Sequence, residues 1–235
     1  MGTLPLTPQA VAALNERFEQ AHPTDIIQWA VETFRPDVAM TSSFGAESAA
    51  LIHLAIQIEP RLDIRIVDTG LFFPETYQFI DELKRRFNLN LTVFKTKLDV
   101  ERFKQAHAHL PIGHPDFCCS EYKVEATERA LEGLRGWITG IRRGQATTRA
   151  QTPFVEVLTT GTTKVAPLAS WTSKEVQAYM TQHTLPYHPL WHQGYTSIGC
   201  WPCTQRPVDP NDPRSGRWAG QDKTECGIHD IGKDI

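Results

Sequence analysis

Short β-rich runs alternating with helical patterns constrain this 235-residue chain more than any other feature. PDVAMTS (36–42), DIRIVD (63–68), NLTVF (90–94) and GWITG (136–140) carry the branched and aromatic residues that suit a pleated strand. Between them, apolar residues return at one-face helical spacing: Leu51, Leu54, Ala55 and Ile58, then Tyr77, Ile80, Leu83 and Phe87. FPETY puts Pro74 at a first helical position with Glu75 in the first turn. TSKEVQAYMTQH predicts a helix after Trp171, capped by Thr172 or Ser173. Strands alternating with helices imply parallel βαβ units with right-handed crossovers. The expected fold is α/β, a Rossmann-like parallel sheet with helices on both faces. Past residue 185, Pro, Gly, Trp and His dominate and no regular element is expected. Residues 1–203 are expected to form one domain, and 204–235 an irregular C-terminal segment.

Composition narrows the classes of function. Forty per cent hydrophobic and 22% charged residues are ordinary for a soluble chain. A net charge of −3 gives no global reason to bind nucleic acid or an acidic membrane, so any basic site must be local. MGTLPLTPQA has neither the basic start nor the apolar run of a signal peptide, and Leu6 breaks the myristoylation pattern. No apolar stretch approaches a membrane span. The expected location is cytoplasmic, where structural disulfides are rare, so the five cysteines need another explanation.

Ligands of open α/β sheets sit at the carboxyl ends of the strands. Two loops there carry suitable groups. TSSFGAES (41–48) offers hydroxyls from Ser42, Ser43 and Ser48, a Gly45 that admits close approach of backbone amides, and a helix N-terminus that favours an anion. It lacks the G-K-[ST] ending of a Walker A loop. VDTGLFFPET (67–76) repeats the strand–Gly–helix order; its Asp68 is suited to hold a ribose or simply to cap the turn. Either loop alone also reads as plain capping. Two on successive strands favour a nucleotide site.

Cys118 and Cys119 are adjacent, and Cys200 and Cys203 form CWPC. Two tight pairs suggest one four-thiolate metal site. Zinc prefers pairs two to four residues apart, and an adjacent pair strains a single tetrahedral ion. An iron–sulfur cluster suits it better, because each thiolate then binds a different iron. The competing readings are a thioredoxin-type redox CWPC and a simply buried Cys118–Cys119 pair, with a zinc-stabilised binding module as the rival function; the redox motif belongs at a helix start, and here the flanks are irregular. Four ligands leave Cys226 alone on a tail.

Seven stretches in order, SSFGAES, VDTGLFFPETY, CC with the following Lys123, RRGQATTR, YTSIGCWPCT, RSGRW and KTECGIH, resemble the assimilatory sulfonucleotide reductases, which act on adenylylsulfate (APS) or phosphoadenylylsulfate (PAPS). The resemblance spans about residues 36–229 and implies the adenine nucleotide alpha-hydrolase-like variant of the fold. The two cysteine pairs match the cluster-bearing APS branch, which implies a [4Fe-4S] cluster on Cys118, Cys119, Cys200 and Cys203. Ser48 departs from the acidic residue common in that branch, which leaves PAPS or dual use as the alternative. An ATP-pyrophosphatase with a similar serine-rich loop is the other rival, but it has no use for ECGIH.

The resemblance implies that Cys226 attacks APS, releases AMP and holds an S-sulfonate, which thioredoxin then cleaves to sulfite. A cysteine of ordinary pKa, about 8.5, needs cations nearby to react well. The implied substrate residues are Ser42, Ser43, Phe44, Gly45, Glu47, Ser48, Asp68, Thr69, Gly70, Lys123, Arg143, Arg149, Arg214, Arg217 and His229, with Lys123, Arg149, Arg214 and Arg217 on the phosphosulfate. Arg142 is a further candidate cation. A tail with AGQ at 219–221 and Gly227 beside the nucleophile is expected to be mobile, closing over APS and opening to thioredoxin. Trp29, Trp137 and Trp171 read as core, Trp201 as packed beside the thiols, and Trp218 as core or an adenine stack. HTLPYHPLWH (183–192) reads as a packed loop rather than a metal site. A homo-oligomer is left open.

Overall fold

The computed structural model describes residues 5–96, 115–209 and 211–232. Two helices, α1 (Pro8–Phe18) and α2 (Pro23–Phe34), precede the sheet. Then β1 (Val38–Thr41), α3 (Ser48–Ile58), β2 (Asp63–Asp68), α4 (Pro74–Phe87) and β3 (Leu91–Lys95) form two βαβ units. The chain is next described at α5 (Pro115–Cys119), a π-helical turn (Ser120–Val124) and α6 (Glu125–Leu131). Strands β4 (Gly136–Ile138), β5 (Val155–Val157) and β6 (Thr163–Val165) follow, then α7 (Ser173–Gln182).

The six strands lie in the order β3-β2-β1-β4-β6-β5. All neighbours are parallel except edge strand β5, which runs antiparallel to β6. From β1 the chain winds outward through β2 and β3, then returns to lay β4 on the other side of β1. The gap between the ends of β1 and β4 is therefore the topological switch point, where such sheets bind ligands.

Strand alternation divides the core between the two faces. Val38 and Met40 of β1 and Ile138 of β4 join the large cluster with α2, α3 and α4, whereas Ala39 and Trp137 face Leu131, Leu158 and Ile231. One face is thus covered by helices, and the other partly by the C-terminal chain. Pro74 opens α4, as its position suggests. Thr172 caps α7 through a reciprocal box: Glu175 N–H donates to Thr172 Oγ1 (3.2 Å), and Thr172 N–H donates to Glu175 Oε2 (2.7 Å).

The described residues beyond 203 are tied to the rest of the domain at several points. Thr204 bridges to Arg217, Gln205 N–H donates to the Gly216 carbonyl (2.9 Å), and Trp218 N–H to the Cys203 carbonyl (3.2 Å). Further on, Lys164 Nζ donates to the His229 carbonyl (3.0 Å) and Thr159 N–H to the Gly232 carbonyl (2.8 Å).

Candidate active site

A cavity of about 490 Å³ opens at the switch point, a size typical of small-ligand sites. Its walls include Met40–Ser43 at the end of β1 and just beyond it, Thr139–Arg142 after β4, and Thr196–Gly199. Six cations line it: Arg65, Lys123, Arg142, Arg149, Arg214 and Arg217. Glu47 is the one carboxylate among the described lining residues. An acidic protein thus concentrates positive charge at one place, which selects anionic ligands.

Ser42, Ser43, Gly45, Glu47 and Ser48 all line this cavity. Phe44 does not; it is fully buried, with its backbone in the left-handed region (φ 48°) and its N–H donating to Ser42 Oγ at 3.1 Å. That strained residue, rather than Gly45, turns the loop: a Cβ added at Gly45 would make only ordinary contacts. Ser48 donates to the Gly45 carbonyl (3.0 Å), closing the turn into α3.

The second loop faces elsewhere. Asp68, Thr69 and Gly70 are not among the cavity-lining residues; Val67 and Phe72 are. Asp68 accepts from Tyr77 Oη and Gly70 N–H, each at 2.8 Å, and so acts as a turn cap. Thr69 is buried with its Oγ1 3.4 Å from Cys200 Sγ. The path of the loop, pinned by Trp201 N–H donating to the Leu71 carbonyl (2.8 Å), turns it toward the cysteines.

Arg143 also lies away from the cavity. It forks onto Glu19 at 2.7 and 3.0 Å and donates to the Thr152 carbonyl. Its neighbour Arg142 lines the cavity instead and pairs with Glu47 at 2.5 Å, while its Nη1 is buried without a partner. Successive residues leaving a strand point to opposite sides, and the sequence alone does not say which arginine faces in.

The four paired cysteines surround a second, smaller cavity with Thr69, Leu71, Tyr122, Lys123, Arg217 and Trp218. All four thiols are buried. Burial, then the repulsion of Cys200, pushes the Cys118 thiol up to about 12; Cys119 rises to about 11, chiefly by burial. Binding to metal cations would offset that cost and hold the thiolates. Among the described residues no three His, Cys, Asp or Glu side chains form a group able to hold a single metal ion. Four thiols around a shared space, with no carboxylate or imidazole among the described lining residues, fit a polynuclear iron–sulfur cluster.

Trp218, 3% exposed, packs on Cys119 and Cys203, whereas Trp201 is 51% exposed. The expectation that Trp201 packs beside the thiols is thus corrected: Trp218 takes that place. Trp137 is fully buried, and Trp29 and Trp171 are partly buried against the core. In the 183–192 loop, His188 is fully buried between Thr76 Oγ1 (2.9 Å) and Leu190 N–H (3.2 Å), which accounts for both ring nitrogens.

Cys226 is half-buried, lines the large cavity and packs against Cys119, Cys203 and Trp218. Gly227 follows with φ 85°, a conformation that favours glycine. Lys123 and Arg217 line both cavities. Burial works to lower the Lys123 pKa, but Cys200 and Cys226 outweigh it and hold the ammonium charged above its usual value. Arg217 lies over the Trp218 ring at 4.5 Å and donates to the Cys203 carbonyl at 3.1 Å. His229 lines the cavity and stacks on Trp137.

Residues 37–206 match the phosphoadenosine phosphosulfate reductase domain. The chain belongs to this family. The Salinibacter ruber adenosine 5'-phosphosulfate reductase is 40% identical over 229 residues, covering 96% of this chain and 90% of its own. The Streptomyces coelicolor protein of the same name is 39% identical and covers 95% and 96%. Among solved structures, a phosphoadenylyl-sulfate reductase from Candida auris in a phosphate complex superposes with a TM-score of 0.76 at 30% identity, covering 87% of this chain and all of its own. The family domain match ends before Arg214, Arg217 and Cys226. The alignment with the Salinibacter ruber relative is long enough to take in Arg214 and Arg217.

Proposed function

We propose that this protein is an adenylylsulfate reductase, converting APS to sulfite and AMP through a Cys226 S-sulfonate with thioredoxin as the external reductant. The observation that carries the reading is Cys226 lining a cation-rich cavity at the switch point of a family α/β sheet. Relatives named adenosine 5'-phosphosulfate reductase at about 40% identity support APS over PAPS.

The Cys226 thiolate attacks the sulfonyl sulfur of APS, the bond from that sulfur to the AMP phosphate breaks, and AMP leaves with the electron pair. Lys123 and Arg217 hold the charge that develops on the leaving phosphate, where no described carboxylate competes for them. Ser42 and Ser43, ahead of the α3 N-terminus, offer hydroxyls to the nucleotide. A thioredoxin thiolate then attacks Cys226 Sγ and sulfite departs with the pair. The second thioredoxin thiol closes a disulfide and frees Cys226. Cys118, Cys119, Cys200 and Cys203 would hold a [4Fe-4S] cluster. When bound, the cluster supplies irons that neutralise four thiolates and tie the Pro115–Cys119 helix to the Trp201–Cys203 turn.

The test is a single turnover. Enzyme mixed with APS and no thioredoxin should release one equivalent of AMP and stop, with one sulfonate mapped to the Cys226 peptide. Thioredoxin should release sulfite and restore the thiol. Cys226→Ser should bind APS yet form no adduct. A sulfonate elsewhere, or sulfite from Cys226→Ser, overturns the mechanism; a higher kcat/KM for PAPS overturns the substrate.

A further inference from the structure

Glu225, the residue before the nucleophile, accepts four side-chain hydrogen bonds. Arg149 grips it with a fork, Nε to Oε1 and Nη2 to Oε2, both at 2.6 Å. Thr148 Oγ1 donates to Oε1 at 3.1 Å and Arg214 Nη2 to Oε2 at 3.2 Å. The remaining Arg149 terminal nitrogen donates to Gln145 Oε1 at 2.6 Å. The Arg149 and Arg214 side chains are 10% and 14% exposed. Paired forks in such a setting are among the stronger polar contacts a protein makes.

Arg149 follows β4 in the chain, on the body of the domain, whereas Glu225 and Cys226 belong to the tail. The contact therefore joins one to the other a single residue from the reactive sulfur. Two more tethers flank it. Lys223 pairs with Asp116 in the first turn of the thiol helix, and Lys164 holds the His229 carbonyl. In between, Gly227 turns the chain in a left-handed conformation, so the position of Cys226 is set from Glu225 on one side and the Gly227 turn on the other.

We propose that Glu225 is a latch: its carboxylate, held by Arg149, Arg214 and Thr148, places the Cys226 sulfur at the cavity, and breaking this contact releases the tail. Glu225 is a positioning residue, since it acts through Cys226. This rests on the reading of Cys226 as the nucleophile. Two cations and one carboxylate leave a net positive charge, so the latch holds the tail without cancelling attraction for an anionic substrate. Arg149 contributes to the closed form mainly by gripping the tail. The arrangement also gives the nucleophile two states, one facing a small anion in a cavity and one accessible to another protein.

The test measures the accessibility of Cys226 without substrate, so its outcome stands whether or not the chain reduces APS. Iron-loaded wild type, Glu225→Gln and Glu225→Asp are alkylated with iodoacetamide across a pH series, and modification of the Cys226 peptide is followed by mass spectrometry. A purely electrostatic effect would move only the midpoint of the pH profile. Releasing the tail raises the high-pH plateau, where the thiol is already ionised. Glu225→Gln should raise the plateau about tenfold, and Glu225→Asp should restore most of the protection. In the APS burst, Glu225→Gln should lower the rate of AMP release more than it changes the APS concentration for half-maximal rate. An unchanged plateau with a shifted midpoint, or no change in either, overturns the latch.

Discussion

Gly199 sits beneath Arg217, and replacing it with alanine should disarm that cation without removing its charge. A Cβ built on Gly199 lies 2.5 Å from Arg217 Nη2, 2.7 Å from Cζ and 2.8 Å from Nη1. Ordinary contact begins near 3.4 Å, so the guanidinium must retreat by about 0.9 Å. It is the end of a flexible side chain, so it yields and the backbone stays. The Gly199 backbone is outside the left-handed region, so alanine adds no strain there. The retreat disturbs the contacts that hold Arg217 over the Trp218 ring and on the Cys203 carbonyl. A misplacement of about 1 Å at a reacting centre costs on the order of 100-fold, or about 2.7 kcal/mol. Single-turnover AMP release by Gly199→Ala should fall by that order, with iron content unchanged. In an Arg217→Ala background the same change meets no guanidinium and should cost almost nothing. Additive losses in the double variant, or a Gly199→Ala rate within twofold of wild type, would refute the argument.

The other expectations are more direct. Alanine at Cys118, Cys119, Cys200 or Cys203 should each abolish bound iron and sulfide, and a variant with full iron content would exclude that residue as a ligand. Arg143→Ala should leave APS turnover near wild type and cost roughly 0.2–1 kcal/mol of stability, the worth of an exposed ion pair, whereas Lys123→Ala should lose about 1.5–3 kcal/mol of transition-state stabilisation; equal losses would return Arg143 to the site. Burial pulls the His188 pKa down to about 4. The unfolded chain therefore takes up this proton first as the pH falls below the ordinary value near 6.5, and stability is lost between pH 6.5 and 4, by about 2 kcal/mol at pH 5. The urea midpoint of wild type should accordingly drop more than that of His188→Gln between pH 7.5 and 5, and parallel curves would contradict the assignment.

The central strands were legible because their runs are apolar or β-branched and bounded by turns. DIRIVD coincides with β2, and PDVAMTS and GWITG contain β1 and β4. The pair β5 and β6 was not anticipated. Each has three residues, and β6 is Thr163–Val165, with a lysine at its centre. That lysine is buried with its ammonium received by Glu156 and the His229 carbonyl and set over the Trp137 ring, a tertiary arrangement with no local signature. The limit was the same at the site. The cysteine spacing showed that two pairs could converge, and they do line one cavity. The loop after β2 carried the right residues at the right end of a strand, yet Thr69 turned toward Cys200 because Trp201 fixes the path of the loop. Position at a strand end is written locally; the direction of a side chain is decided by what packs against the loop.

The arginines show what that direction does for function. Six cations reach one cavity in a chain of net charge −3, but they are not equivalent. Arg65 is spent on Asp63 and the Ala130 carbonyl, and Arg142 on Glu47. Lys123 and Arg217 line both the thiol cavity and the larger one. Arg149 and Arg214 are held by Glu225 of the tail. Under the proposed latch this last pair changes partner as the tail opens, while the pair above the thiols does not. A substrate anion would then meet a fixed positive floor whether or not Cys226 is in place, so binding and nucleophile placement become separable. Arg217→Ala should therefore weaken APS binding even in Cys226→Ser, whereas Glu225→Gln in that background should not. Titration of APS against the two double variants measures the difference, and equal weakening in both would mean that the tail and the floor form a single binding unit.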